Sequence, residues 1–103
     1  MNAVFECMKK HDLEHNRTTV SADYSSIFWE DGFNKTRTIE LRCFNSGLVA
    51  GFADDSADRS EKIWWVSDLL QGRSLPNFED ILLLTLDETL EYVRHFIWAN
   101  HNV

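Results

Sequence analysis

The sequence predicts an α+β domain, an antiparallel β-meander of four to five strands packed by a C-terminal α-helix. Three observations predict it: segments alternating with a period of two fill the middle, hairpin-type turn signals separate them, and a capped stretch with helical apolar spacing follows. The 103 residues fit one domain, 1–103. Folding at this length removes roughly two-thirds of the unfolded chain's surface from water, enough for a core without disulfides or metal. With 44% hydrophobic residues, including four Trp and seven Phe, apolar area is plentiful.

Element by element, the N-terminal stretch Val4–Leu13 leaves two readings open. Val4, Phe5 and Met8 suit a helix, whereas Val4-Phe5-Glu6-Cys7-Met8 also suits an edge strand. Val20, Ala22 and Tyr24 then alternate with polar neighbours, and Ser26–Trp29 continues the run. Asp31-Gly32 is the strongest hairpin signal, because a type I′ turn needs the positive φ that Asp and Gly tolerate. On the return, Ile39, Leu41 and Cys43 share one face and Thr38, Glu40 and Arg42 the other. Asn45-Ser46-Gly47 reads as a second hairpin loop with Gly47 left-handed, and Leu48–Phe52 pairs back.

An acidic loop, Ala53–Glu61, precedes a further strand, Lys62–Val66. Ile63 and Trp65 point one way and Trp64 and Val66 the other, so either both faces are buried or an aromatic surface is left for a partner. Gln71–Asn77, with Gly72 and Pro76, is the least regular piece, and Ile81–Leu84 reads as a buried strand. Thr85-Leu86-Asp87-Glu88 is a capping box. Leu86, Leu90, Val93 and Ile97 follow as one apolar helical stripe. Asp87, Glu88 and Glu91 near the start, with His95 and His101 towards the end, suit the helix macrodipole.

Charge is unevenly distributed. Asp54 to Glu91 holds ten carboxylates against three bases, a net of −7 equal to that of the whole chain. Such a region meets positive surfaces and repels nucleic acid and anionic lipid. Cys7 and Cys43 show neither a CxxC pattern nor a Cys/His metal spacing. The polar stretch Met1–Asn16 lacks the apolar core of a signal peptide, and Ile81–Leu84 is far too short to span a bilayer. A cytoplasmic setting with both thiols free is expected.

Catalytic patterns fail on inspection. His11-Asp12-Leu13-Glu14-His15 matches H-x-x-E-H, and Glu91 would be the distant third ligand of a small metal-dependent hydrolase. That chemistry needs two imidazoles on one helical face inside a large cleft, and the motif holds one apolar residue. Neither metal nor cofactor is expected. Asp54-Asp55-Ser56-Ala57-Asp58 starts like an EF-hand, but Arg59 replaces the turn glycine and Trp65 the closing acid. The pairs Glu30/Asp31, Asp54/Asp55 and Glu79/Asp80 are flanked by turn signals, so burial should tune neither member. Lys35, Arg37 and Arg42 suit a cross-strand charge ladder better than a nucleic-acid patch. The chain is not expected to be an enzyme.

Phe28-Trp29, Phe33, Phe44 and Trp64-Trp65 exceed what one core face needs. Aromatics ringed by carboxylates suit an interface with a basic protein, with anchors for affinity and charge for association rate. The expected contact set is Asp54, Asp55, Asp58, Glu61, Trp64 and Asp68. In size, charge and aromatic content the whole chain resembles the small acidic immunity proteins of bacterial toxin systems, of the colicin and contact-dependent growth inhibition types. The resemblance rests on overall character, so no residue role carries over. It implies a non-enzymatic toxin inhibitor or antitoxin, monomeric in a 1:1 complex with a basic toxin, commonly a nuclease. A phage-encoded inhibitor of host defence fits the same profile, and a small chaperone or adaptor dimerising through its sheet is the other reading.

Overall fold

The computed structural model describes residues 1–30, 37–56, 59–71 and 82–98, with residues 97 and 98 by their backbone alone. In chain order come α1 (Asn2–Lys10), β1 (Arg17–Val20), β2 (Tyr24–Glu30), β3 (Arg37–Phe44), β4 (Val49–Asp55), β5 (Ser60–Val66), a 3-10 turn (Ser67–Leu69), β6 (Leu82–Leu84) and α2 (Leu86–Trp98). The strands form one sheet in sequential order. β1 to β5 are antiparallel neighbours, and β6 adds parallel to β5.

The fold is α+β, with a sheet packed by the C-terminal helix; it has six strands where four to five were expected, the sixth parallel, three further details differ from expectation, and one open reading is resolved. Val4–Leu13 opens as helix, because Val4 and Met8, one turn apart, both reach the core. The run Val20–Trp29 is two strands. The Ser21 amide and hydroxyl both donate to the Tyr24 carbonyl, at 2.9 and 3.1 Å, and Asn45 Nδ2 donates to the Ala22 carbonyl at 2.9 Å. These bonds fold the chain back at Ser21–Asp23. The acidic loop is shorter than Ala53–Glu61, since Ala53–Asp55 ends β4 and Ser60–Glu61 begins β5. Finally, β6 is short and exposed where a buried strand was expected, because it forms the sheet edge. Asp31-Gly32, Gly72 and Pro76 lie outside the described residues, although β2 and β3 pair as a hairpin. Gly47 adopts φ 98°, the left-handed position its turn requires.

One sheet face makes the core. Ile27, Ile39, Leu41, Trp64 and Val66 are fully buried there against Val4 of α1 and Leu90 and Val93 of α2. Trp64 is the largest contributor from β5. Its indole N–H donates to Thr89 Oγ1 at 3.0 Å, and its ring meets Tyr92 edge-on at 5.4 Å and 83°. Its cross-strand partner is Gly51, whose Cα is so close beneath the indole that any Cβ would overlap ring atoms. Glycine is therefore a steric requirement at this position.

Polar contacts fix both ends of α2. Thr85 Oγ1 accepts from the Glu88 amide at 3.1 Å while Glu88 Oε1 accepts from the Thr85 amide at 2.9 Å, the reciprocal capping box. Hydrogen bonds to the carboxylate from the Thr85 amide and then from the Thr85 side chain hold the Glu88 carboxyl below its ordinary range. Asp68 Oδ2 takes the Leu86 amide at 3.2 Å. Towards the other end, Arg37 Nη1 donates to the Phe96 carbonyl at 3.0 Å while its Nε meets Asp55 Oδ2 at 3.0 Å. The cation thus satisfies a late helix carbonyl and joins it to the sheet.

Chemical denaturation should find Gly51→Ala destabilised by roughly 3 kcal/mol or more through overpacking, and Leu90→Ala by roughly 2–5 kcal/mol. Thr89→Val should cost about 1–3 kcal/mol by leaving the Trp64 N–H unpaired. Wild-type stability in Gly51→Ala would contradict the indole-over-glycine arrangement. Thr85→Ala should lose about 1 kcal/mol and return the Glu88 carboxyl towards its ordinary value in an NMR titration. Because the folded Glu88 value is depressed, its contribution is present above the unfolded value and disappears as pH falls through the folded one. In Thr85→Ala that acid-limb dependence should be weaker, with the part due to the backbone amide of residue 85 retained.

Candidate binding face

Alternation carries every second residue of β2–β5 to the face opposite the helices. Three cross-strand rows build it. Phe28, Glu40, Phe52 and Ile63 form the central row, with Ser26, Arg42, Ala50, Trp65 and Leu83 on one side and Glu30, Thr38, Asp54 and Glu61 on the other. The two described helices bury their apolar residues in the opposite face. Among the described residues, no helix covers this one. Ile63 and Leu83 remain 48% exposed, and Phe28, Phe44, Phe52 and Trp65 are half-buried.

Arg42 organises the face. Its guanidinium lies 4.4 Å from the Tyr24 ring centroid and 4.7 Å from that of Phe52, and its Nε and Nη2 donate to the two Glu40 oxygens at 3.0 and 3.3 Å. Ser26 Oγ donates to the same carboxylate. The Glu40 hydrogen bonds hold the guanidinium more firmly charged than usual. A fork held between two rings and a carboxylate is rigid and prepaid in entropy. Arg17 repeats the motif at the edge, 4.4 Å over Phe28 and 3.3 Å from Glu30.

Among the described residues, no cation pairs with the acidic end in this way. Asp54 and Glu61 are direct cross-strand partners, both exposed. Like charges placed opposite one another destabilise a sheet, so folding does not account for this pair. Between them and Phe52 and Ile63 is a shallow depression.

The six expected contact residues divide accordingly. Asp54 and Glu61 stand together on the open face. Asp55 turns to the opposite face, where its carboxylate is only 6% exposed and pairs with Arg37. Trp64 is in the core, 0% exposed, and only its neighbours Ile63 and Trp65 reach the open face. Asp68 is engaged at the start of α2. Asp58 lies outside the described residues. Phe28 stands on this face as one of the surplus aromatics, whereas Arg42, Phe52 and Leu83 are not among the expected contacts, although the opposed phases of Ile63/Trp65 and Trp64/Val66 contained the signal. With Gly51 recognised as the seat of Trp64, the outward face is fixed.

The second polar cluster joins the helices. His11, at the end of α1, places Nε2 2.8 Å from Asp87 Oδ1 and Nδ1 3.2 Å from Glu91 Oε1. Cys7 Sγ and Lys10 Nζ donate to the same Asp87 oxygen at 3.5 and 3.2 Å. Hydrogen bonds from His11, Lys10 and Cys7 hold the Asp87 carboxyl at about 2. Burial and Asp87 push the Cys7 thiol up, so it stays protonated and is no activated nucleophile. His15 instead packs against Phe5 at 5.4 Å, and α1 ends before His11, so H-x-x-E-H does not form the helical zinc signature. Asp54 and Ser60 belong to paired strands, which likewise removes the EF-hand frame.

No family model, no curated protein and no solved structure matches the chain. No helix among the described residues is long and apolar enough to cross a membrane.

Charge variants should separate the two kinds of carboxylate. Asp55→Ala breaks a largely buried pair and should cost about 3 kcal/mol. Asp54→Asn with Glu61→Gln removes a repulsion and should leave stability unchanged or raise it by up to about 1 kcal/mol. Denaturant midpoints falling in the opposite order would refute the assignment of faces.

Proposed function

We propose that this chain is a non-enzymatic binding protein that neutralises a basic partner protein, most simply as an immunity protein that blocks a cognate toxin. The observation that carries this reading is the open sheet face, where half-buried aromatics adjoin the uncompensated Asp54/Glu61 pair. Aromatic side chains supply large contact area at small entropic cost, and the pre-set Arg42 fork supplies directional hydrogen bonding. The net −7 of the chain selects a cationic occupant and raises its association rate.

A sheet face of this kind also suits self-association, the arrangement of a dimeric adaptor. Multi-angle scattering distinguishes the two: a monomer is expected, and a dimer dissociated by Ile63→Ser would support the adaptor instead.

The functional test is co-expression with the product of the gene immediately upstream. That product should be basic and toxic alone, and this chain should restore growth. Ile63→Ser with Leu83→Ser should fold normally, lose protection and speed dissociation. Asp54→Asn with Glu61→Gln should slow association and flatten its salt dependence. An innocuous neighbour, or full protection by the Ile63/Leu83 variant, would overturn the proposal.

A further inference from the structure

We infer that Cys7, His11 and Asp87 form a site for one divalent transition-metal ion of zinc type, which would clamp α1 to α2. One ligand atom from each residue lies within 4.8 Å of the others. In a tetrahedral zinc site with a thiolate, an imidazole and a carboxylate, donor atoms lie about 3.2–3.6 Å apart. The Cys7 Sγ–Asp87 separation of 3.5 Å already fits, and the His11 Nε2–Asp87 separation of 2.8 Å has only to widen. Cys7 and His11 are four residues apart, so the last turn of α1 brings both towards the same point on α2.

Glu91 supplies an independent indication. A metal-bound imidazole normally donates its other ring N–H to a carboxylate, which fixes tautomer and orientation. With Nε2 turned to Asp87, His11 Nδ1 lies 3.2 Å from Glu91 Oε1, the position such an outer carboxylate takes. The mixed sulfur, nitrogen and oxygen set suits borderline-soft Zn2+ over Mg2+ or Ca2+. Asp87 is 54% exposed on its side chain, so an ion has a path in, and water would fill the fourth position. Binding releases the Cys7 thiol proton to solvent. Lys10 Nζ, 3.2 Å from the same carboxylate, is the competing cation, and its side chain is 68% exposed and free to swing away. The local H-x-x-E-H spacing joins His11 with His15 instead. The set proposed here pairs α1 with α2 across up to 80 residues, which no local motif reveals.

The test is titration of the full chain with Co2+, followed by displacement with Zn2+. One equivalent of Co2+ should bind with a thiolate-to-cobalt charge-transfer band and the intense visible bands of four-coordination. Zn2+ should bleach both and raise the melting temperature. Cys7→Ser should abolish the charge-transfer band, whereas Cys43→Ala should keep it. His11→Gln should weaken binding by roughly a hundredfold or more, and Glu91→Gln by about 10–100-fold. Lys10→Met should tighten it. The last two are exposed-side-chain changes that keep the fold and shift affinity in opposite directions, so the site is tested even where His11→Gln fails to fold. Absence of the charge-transfer band in the wild-type chain, its loss in Cys43→Ala alone, or affinity indifferent to both Glu91→Gln and Lys10→Met would overturn the site.

Discussion

The seating of Trp64 over Gly51, with its N–H held by Thr89, ties the sheet to α2 at a fully buried position and sets the rest of the arrangement. A buried indole costs stability unless its N–H is paired, and pairing it to a helix residue fixes both the rotation of α2 and its distance from β5. Once α2 is placed, Leu86, Leu90 and Val93 meet the core face, and Arg37 can reach both Asp55 and the Phe96 carbonyl. Register propagates from the same point. A one-residue slip of β5 would carry every one of its side chains to the opposite face and bring Ser67 or Trp65 to the place of Val66, and Ile63 or Trp65 to that of Trp64.

Committing Trp64 to the core determines the opposite face. Ile63 and Trp65 must then point outwards, where they join Phe28, Phe44 and Phe52 on a surface that the two described helices do not cover. Water contact with so much apolar area is unfavourable. Part of it is relieved locally, because Arg42 and Arg17 lie across aromatic rings and shield them with the stems of their side chains. The remainder stays accessible beside two opposed carboxylates. A surface with apolar area, a preset cationic fork and an unrelieved negative pair retains features that folding alone would not select.

Much of this was legible in the sequence, because the informative signals are local. The Thr85/Glu88 capping box, the Ile39/Leu41/Cys43 alternation and the left-handed Gly47 each depend on neighbours within a few residues. Three features depended on distant contacts. Asn45 bonds the carbonyls of Ala22 and Asp23 and so splits one apparent strand into two. Asp55 looked like its exposed neighbour Asp54, and only the strand phase together with Arg37 shows that it turns inwards. Trp64 and Trp65 are identical in type, and nothing local says which is core. The glycine 13 positions earlier decides it, and does so only once β4 and β5 are paired. The Cys7/His11/Asp87 cluster was illegible for the same reason, since it combines opposite ends of the chain.

The central claim is that the sheet has one sealed face organised by Trp64 and one open face bearing its neighbours. Hydroxyl-radical footprinting of the protein alone, read residue by residue by mass spectrometry, tests this directly. Ile63 and Leu83 should be oxidised readily, with Phe52 intermediate, while Trp64, Ile39 and Leu41 stay protected despite the high intrinsic reactivity of tryptophan. Protection of Ile63 and Leu83 equal to that of Leu41, or oxidation of Trp64 ahead of them, would contradict the account.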